Sequence, residues 1–429
     1  MSKGIQPIRG MNDILPGQTA IWQKVEAVAR VLFARYGYQE IRVPLLERTE
    51  LFKRSIGELS DIVMKEMYTF EDRNGESLTL RPEGTASIVR AGLSNGLLYN
   101  QQQRLWCGGA MFRYERPQKG RYRQFHQLDA EALGFAGPDV DAELILLSAR
   151  LWRELGIGGL TLKINSLGTP ESRAVYREKL VEYFSAQADG LDDDSRRRLE
   201  ANPMRILDSK NPAMATIIDG APSITDYLDQ ESARHFEDLR RYLDEAGCEY
   251  ELAPRLVRGL DYYTRTVFEW VSDKLGAQDA VCSGGRYDGL VEQLGGKPMP
   301  AVGWALGMER LVALVEQAGC AAKPAVPDVF FALLGARAEF KGMRLAEELR
   351  DAPDDIAVVC NAGGGSFKSQ LKRADRSGAR LALIMGEEEF AAGTIAIKPL
   401  RSDEPQQSCE QDELVERVRQ LLAAGEPGL

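Results

Sequence analysis

The stretch RLWCGGAMFRYERPQKGRYRQFHQLDAEALGF (residues 104–135) carries the strongest indication of the fold. Residues 104–115 and 124–135 each have the character of a β-strand, which predicts two strands joined by a short loop. The loop is strongly basic, although the whole chain has a formal net charge of -10. It places five cations around the single acid Glu115: Arg113, Arg116, Lys119, Arg121 and Arg123. Because like charges at that density repel one another, we expect something anionic to bind there.

The flanking sequence predicts that these strands belong to a largely antiparallel sheet flanked by helices, an α+β fold. Apolar residues at helical spacing predict helices over 18–36 and 138–156, and Asn74-Gly75 predicts the turn of a hairpin within 67–82. Pro44 falls in a strand predicted over 38–47 and indicates an edge strand, because proline cannot donate to a sheet ladder. We expect this edge at a subunit contact. Neither a GxGxxG nor a P-loop sequence is present to indicate a Rossmann or P-loop site.

The rest of the chain predicts a helical insertion and a second domain. Residues 170–253 are helical and charge-rich, after which 265–271 predict a strand, 283–290 a glycine-rich turn and 301–316 a strand leading into a helix. Residues 318–327 have the composition of a linker. We therefore expect a catalytic-type domain over 1–325, with the insertion at about 170–253, and a C-terminal α/β domain over 326–429.

Composition excludes several classes of function. The chain has 429 residues but only two histidines, which argues against a multi-histidine metal centre, and its six cysteines are scattered singly. Scattered cysteines predict reduced thiols in a cytosol rather than a zinc site or a disulfide framework. No apolar block follows the first basic residues and no run is long enough for a membrane span, so we expect a cytoplasmic protein without a membrane.

Individual residues of the basic loop suggest a nucleotide site but do not establish one. Arg113 and Glu115 are two residues apart, so their side chains are expected on one face of the strand, and Arg121 precedes Phe125 by four residues. Arginine can hold a phosphate through two hydrogen bonds, and an aromatic ring can stack on a base. A surface hairpin with interleaved salt bridges explains the loop equally well, and Arg310 in GMERL could be an ordinary helix-surface arginine.

Taken in order, the segments resemble a known class of enzyme. The helix–strand–Pro44 segment, FRYE with its following Arg121 and Phe125, and the glycine-rich strand leading to Arg310 resemble the three motifs of class II aminoacyl-tRNA synthetases. LVRGLDYYTRTVFE (256–269) and SGGRYDGL (283–290) resemble the two signature segments of the histidyl-tRNA synthetase family, and TLRPEGTAS (79–87) and QFHQLDAEALG (124–134) also match it. The resemblance covers essentially the whole chain.

The resemblance implies a set of site residues. It assigns histidine binding to Glu83, Thr85, Arg113, Gln127, Glu131, Arg258, Tyr262 and Tyr263. In this assignment Glu83 and Thr85 hold the α-ammonium, while Glu131 and Tyr263 hold the two imidazole nitrogens. Arg258 and Arg113 are the implied catalytic pair, on opposite faces of the α-phosphate. Tyr262 and Tyr263 could equally be core aromatics.

The same resemblance implies ATP, accompanied by Mg²⁺ on its β- and γ-phosphates, as the second substrate. It assigns ATP binding to Arg113, Glu115, Arg121, Phe125 and Arg310, and contact with the tRNA acceptor end to Arg116, Gln118 and Lys119. No structural zinc is expected. The C-terminal domain would bind the anticodon, with a basic stripe of Lys368, Lys372 and Arg376 that could also be a solvated helix face. A homodimer is expected.

Two other functions remain open from the sequence. A non-catalytic, synthetase-like regulatory subunit of ATP phosphoribosyltransferase would bind histidine, but it should have lost catalytic arginines and needs no anticodon domain. A free-standing adenylate-forming enzyme would activate an amino acid without charging tRNA.

Overall fold

The computed structural model describes residues 4–424 except 58–59, 208, 210, 259, 261, 276–279 and 322–324. The chain divides into two compact units, Met1–Lys323 and Pro324–Leu429. Among the described residues, no helix combines the length and the apolar character needed to cross a bilayer.

The larger unit is built on an eight-stranded sheet with the order β1-β5-β6-β11-β10-β9-β7-β8. The strands are β1 (Gln39–Glu40), β5 (Gln103–Phe112), β6 (Gln124–Leu133), β7 (Thr161–Ser166), β8 (Glu251–Leu252), β9 (Thr264–Val271), β10 (Ala280–Arg286) and β11 (Ala301–Gly307). A smaller sheet joins β2 (Leu46–Arg48), β3 (Tyr68–Glu71) and β4 (Ser77–Leu80). Only the two outer pairs of the large sheet, β1 with β5 and β7 with β8, are parallel. The predicted antiparallel sheet is confirmed.

The helices of this unit are α1 (Pro16–Arg35), α2 (Thr49–Ile56), α3 (Thr85–Ser94), α4 (Pro138–Leu155), α5 (Pro170–Ala186), α6 (Asp193–Ala201), α7 (Ala215–Asp219), α8 (Gln230–Glu245), α9 (Leu290–Gln293) and α10 (Met308–Gln317). Apolar faces of α1, α4 and α10 cover one face of the sheet, where Phe33 stacks on Trp106 with ring centroids 4.8 Å apart. The opposite face carries the candidate site and α5. Helix α8, predicted as part of the insertion, packs on α4 and the main core.

Two local predictions were wrong. The strand predicted over 38–47 is split between β1, at the edge of the large sheet, and β2, in the small sheet, and Pro44 lies in the break between them. Residues 283–286 form the end of the central strand β10 rather than a turn. A Cβ at Gly284 would lie 2.6 Å from Cβ of Trp304, and one at Gly285 would lie 2.5 Å from the carbonyl oxygen of Thr266. The glycines therefore permit close strand packing.

The smaller unit is the predicted α/β fold. Its sheet has the order β13-β12-β14-β15-β16, in which β12, β13 and β14 are parallel and the other pairs are antiparallel. The strands are β12 (Val329–Leu333), β13 (Val358–Cys360), β14 (Leu381–Met385), β15 (Thr394–Pro399) and β16 (Gln407–Glu410). The helices are α11 (Ala336–Arg350), α12 (Phe367–Arg376), α13 (Glu387–Ala392) and α14 (Leu414–Ala424). Strands β12 and β14 are buried along their whole length, as expected for strands covered on both faces.

Candidate active site

A cleft of about 280 Å³ opens on the face of the large sheet opposite α1 and α4. Its walls include most of the residues that the sequence singled out: Glu83, Thr85, Arg113, Glu115, Arg121, Phe125, Gln127, Arg258, Tyr262, Tyr263 and Arg310. Glu131 does not line the cleft but is fully buried beside Thr85. Arg116, Gln118 and Lys119 lie outside the cleft, on the exposed tip of the loop between β5 and β6.

Strand β6 contributes the floor of the cleft. Its even-numbered residues Leu128, Ala130 and Ala132 belong to the core under α1 and α4, so Gln127 and Glu131 point to the other face. Gln127 lies opposite glycines on both neighbouring strands, Gly109 and Gly307, and Glu131 lies opposite Gly303 on β11. A Cβ at Gly303 would overlap the carboxylate of Glu131. The glycines thus leave the space that these polar side chains occupy.

Glu131 is held by two hydroxyl groups. Thr85 Oγ1 donates to Glu131 Oε1 over 2.6 Å, and the Tyr287 hydroxyl donates to Oε2 through a short hydrogen bond. Burial raises the pKa of Glu131 well above its usual range, and the two donors act in the opposite direction. Nearby, Gln127 Oε1 is buried and has no hydrogen-bond partner among the described residues. The floor therefore offers one acceptor free for a ligand, and a fixed carboxyl group is buried next to it.

The start of helix α3 contributes a second carboxylate. Glu83 accepts hydrogen bonds from the backbone N–H groups of Thr85, at 2.7 Å, and Ala86, at 3.0 Å. Burial raises the pKa of Glu83, while the backbone donors and Arg113 lower it. Because a helix N-terminus favours a negative charge, Glu83 is suited to hold a cationic group of a ligand while it is ionised.

Two arginines reach the cleft from different elements. Arg113 follows β5, donates from Nε to the carbonyl oxygen of Pro82 over 2.9 Å, and has its guanidinium 5.3 Å from the ring centroid of Phe125. Arg258 follows β8 and donates from Nη1 to Glu269 Oε1 over 3.0 Å, while its buried Nε has no partner among the described residues. Arg258 therefore retains donor capacity for an anion.

Two further cations, Arg121 and Arg310, line the cleft. Arg121 forms an ion pair with Glu115 within the loop, so the salt-bridged hairpin considered from the sequence exists inside the cleft wall. Arg310, at the start of α10, donates from Nε to the carbonyl oxygen of Gly120 over 3.0 Å and from Nη1 to that of Ala280. Arg310 thus ties the loop to strand β10.

Sequence reasoning missed two groups at this site. Tyr287 stood in the quoted segment SGGRYDGL, but nothing in the sequence indicated that its hydroxyl reaches Glu131. Asp129 lies between Gln127 and Glu131 on the same face of β6, and the two-residue period of a strand could have found it. Among the described residues, no group of three or more His, Cys, Asp or Glu side chains is arranged to hold a metal ion.

Comparison with known proteins shows the family to which this chain belongs. The family model described as "Histidyl-tRNA synthetase" matches residues 10–311, and that described as "Anticodon binding domain" matches residues 328–421. A curated relative from Halorhodospira halophila, named "Histidine--tRNA ligase", is 58% identical over 423 residues, which cover 99% of this chain and 100% of that protein. The chain belongs to the histidyl-tRNA synthetase family.

Solved structures agree with membership of the histidyl-tRNA synthetase family. The apo histidyl-tRNA synthetase of S. aureus matches with a TM-score of 0.81 and 36% identity, covering 97% of this chain and all of that one. A histidyl-tRNA synthetase from Nostoc matches with a TM-score of 0.69 at 21% identity, and a Bacillus halodurans protein titled "ATP phosphoribosyltransferase regulatory subunit/histidyl-tRNA synthetase" with 0.66 at 22%. These last two likenesses establish the fold alone.

Proposed function

We propose that this chain activates L-histidine with ATP, giving histidyl-adenylate and pyrophosphate, and then transfers the histidine to the 3′-terminal adenosine of tRNA(His). The observation that carries this proposal is that a single cleft brings Arg113 and Arg258 together with Glu83 and Gln127. A zwitterionic amino acid needs a carboxylate for its ammonium group and cations for its carboxylate, and this cleft offers both.

In this proposal histidine binds at the floor of the cleft, next to strand β6 and the start of helix α3. Glu83, with Thr85 beside it, receives the α-ammonium, and Gln127 offers its unpartnered oxygen to a substrate donor. In this proposal the imidazole reaches past the cleft wall, so that its two nitrogens meet Tyr263, which lines the cleft, and Glu131, which is buried beside Thr85. Tyr262 packs beside Tyr263 at a ring-centroid distance of 4.7 Å. Because such a site leaves buried polar groups unpaired when an analogue lacks the matching group, it rejects that analogue by about 10⁴-fold.

The activation step brings two anions together, because the carboxylate of histidine must attack the α-phosphate of ATP. Arg258 and Arg113 supply positive charge on two sides of the developing transition state, and their hydrogen bonds to Glu269 and Pro82 hold them in place. Glu115 and Phe125 receive the adenine, and Arg121 and Arg310 receive phosphate oxygens. Mg²⁺ comes with ATP, bound to its β- and γ-phosphates, and adds charge neutralisation there.

The second step requires the tRNA to reach the cleft. Arg116, Gln118 and Lys119 are exposed at the loop tip, where they can meet the acceptor end without competing with ATP. The C-terminal unit binds the anticodon, with Lys368, Lys372 and Arg376 exposed along α12. The active molecule is a cytoplasmic homodimer in this proposal.

The direct test is charging of tRNA(His) with labelled histidine by the purified chain. We expect acid-precipitable label that requires both ATP and tRNA, with no label from other amino acids. The regulatory-subunit alternative predicts histidine binding without any charging. It is less supported, because Arg113, Arg258 and Arg310 all line the cleft and an anticodon-binding domain is present.

A further inference from the structure

Asp129 is a buried acid that the proposed mechanism does not use. It has no solvent exposure, and neither of its carboxyl oxygens has a hydrogen-bond partner among the described residues. A buried carboxylate without donors is costly, because desolvation disfavours the charged form. Such a group needs either a proton or a partner that arrives with a ligand.

The position of Asp129 connects it to the proposed α-ammonium subsite. It lies on the same face of β6 as Gln127 and Glu131, and a Cβ on Gly84 would be 2.5 Å from Asp129 Oδ2. Gly84 is the residue between Glu83 and Thr85. The carboxyl group of Asp129 therefore packs directly against the backbone of the turn that carries both proposed ammonium ligands.

The two nearby arginines donate hydrogen bonds to backbone carbonyl groups rather than to Asp129. Arg81 donates to the carbonyl oxygens of Ala110 and Val43, at 2.9 and 3.2 Å, and Arg113 donates to that of Pro82. Burial, and secondarily the charge of Glu83, raise the pKa of Asp129 well above its usual range, against an opposing effect of the two arginines. The titratable and charged groups that face it are Glu83, Glu131, Arg81, Arg113, Cys107 and Cys282.

Two neighbouring buried acids titrate as a coupled pair, and the environment decides which one keeps the proton. Glu83 accepts two backbone hydrogen bonds that stabilise its charge, whereas Asp129 has none. We therefore expect a proton to reside on Asp129 rather than on Glu83 while the subsite is empty. A bound ammonium group adds one positive charge beside the pair, which favours ionisation of both acids.

We propose that Asp129 is a positioning residue for the α-ammonium subsite, and that it releases its proton to solvent when the ammonium group of histidine binds at Glu83. Histidine binding is thereby coupled to proton release, and the second negative charge strengthens the hold on the ammonium group. This inference rests on the proposed function, because it takes histidine as the ligand.

The test is calorimetric titration of histidine into the wild type and Asp129→Asn, between pH 6 and 8, in two buffers of different ionisation enthalpy. Free histidine ionises identically in both titrations, so its contribution cancels when the numbers of protons released by the two proteins are subtracted. We expect the wild type to release more protons than the variant. We also expect the ratio of their affinities to rise with pH, to about tenfold. The surface variant Glu154→Gln, which removes a carboxylate paired with Arg35, should match the wild type.

Equal proton release together with a pH-independent affinity ratio would overturn the role of Asp129 while leaving the proposed function intact. Absence of histidine binding by the wild type would overturn both the role of Asp129 and the proposed function. If Asp129→Asn does not fold, infrared difference spectra of the wild type with and without histidine test the proposal instead. Addition of histidine should remove a carbonyl band of a protonated carboxyl group, and an unchanged band would overturn the inference.

Discussion

At the level of single residues, the site depends on side chains that fix the orientation of the proposed ligand-binding side chains through hydrogen bonds. Glu131 is the clearest case, because both of its oxygens accept hydrogen bonds, from Thr85 and from Tyr287. A carboxyl group fixed at both oxygens can discriminate between ligands by geometry, since it does not turn to meet a poorly matched one.

Tyr287→Phe removes one of these donors without changing the packing volume. We expect KM for histidine to rise about tenfold with a smaller change in kcat, because a buried acceptor loses a hydrogen bond. Steady-state pyrophosphate exchange measures both constants. The control is Tyr242→Phe, since that tyrosine is 49% exposed on α8. An unchanged KM in Tyr287→Phe would show that Thr85 alone is sufficient to hold Glu131.

The sequence located most of the cleft wall but not the supporting contacts. Arg113, Glu83, Gln127 and Arg258 lie in segments with recognisable patterns, and all four line one cleft. The contacts of Tyr287 and Asp129 depend on how β6, β10 and the turn before α3 approach one another. Those approaches are set by tertiary packing, which local patterns do not encode.

At the level of secondary-structure elements, the glycines of strand β10 were wrongly interpreted from the sequence as a turn. Two adjacent glycines usually indicate a turn, yet Gly284 and Gly285 lie in the middle of the sheet. Their role is steric, since a Cβ on either would meet a neighbouring strand. The helices and most strands were predictable because their apolar periodicity is strong.

Gly284→Ala tests this steric role. We expect the free energy of unfolding to fall by about 3 kcal/mol, because an overpacked methyl group must displace the strand at Gly303 and Trp304. Urea unfolding measures the change. Gly289→Ala is the matched control, because nothing lies within 4 Å of a Cβ there and its φ of -87° suits any residue. Equal stability of the two variants would contradict this explanation.

A buried ionic cluster joins strand β10 to helices α4 and α8. Arg286 of β10 donates to both oxygens of Asp141 on α4, and His235 of α8 lies 2.7 Å from Asp141 Oδ2. Burial alone would raise the pKa of Asp141, but Arg286 and His235 outweigh it and lower that pKa below its usual value. The cluster therefore depends on an ionised Asp141.

Asp141→Asn should lower the free energy of unfolding by about 3 kcal/mol at pH 7, because it removes the buried carboxylate that pairs with Arg286 and leaves that charge only the partly exposed Asp288. The folded-state pKa of Asp141 lies below the unfolded value of about 3.9, so this stabilisation is present above about pH 4 and is lost as pH falls further. Urea unfolding of both proteins from pH 7 to pH 3 measures the difference. A difference that did not shrink at low pH would contradict the ionic explanation.

At the scale of the whole molecule, the chain combines a unit that carries the cleft with a separate anticodon-binding unit. Sequence composition predicts a boundary near residues 318–327, because alanine, glycine and proline replace the periodic apolar pattern there. Which surface of the second unit meets the tRNA does not follow from its composition.

Reversing the basic stripe tests one such surface. In the triple variant Lys368→Glu, Lys372→Glu, Arg376→Glu, we expect tRNA charging to fall by about tenfold or more, with a weaker dependence on salt, because three charges that we propose to face tRNA phosphates change sign. Histidine-dependent pyrophosphate exchange by the same variant is the internal control and should stay at the wild-type level. Unchanged charging would identify α12 as an ordinary solvated helix.

The most direct test of histidine activation by this chain is amino-acid-dependent ATP–pyrophosphate exchange, measured for the wild type and Arg258→Ala. The exposed arginine variant Arg241→Ala, paired with Glu237 on α8, serves as the control for folding. We predict strong exchange with histidine alone in the wild type and the control, and a loss of about 10²–10³-fold in Arg258→Ala. Absence of exchange with every amino acid, in protein that still binds histidine, would contradict histidine activation by this chain and favour the regulatory function.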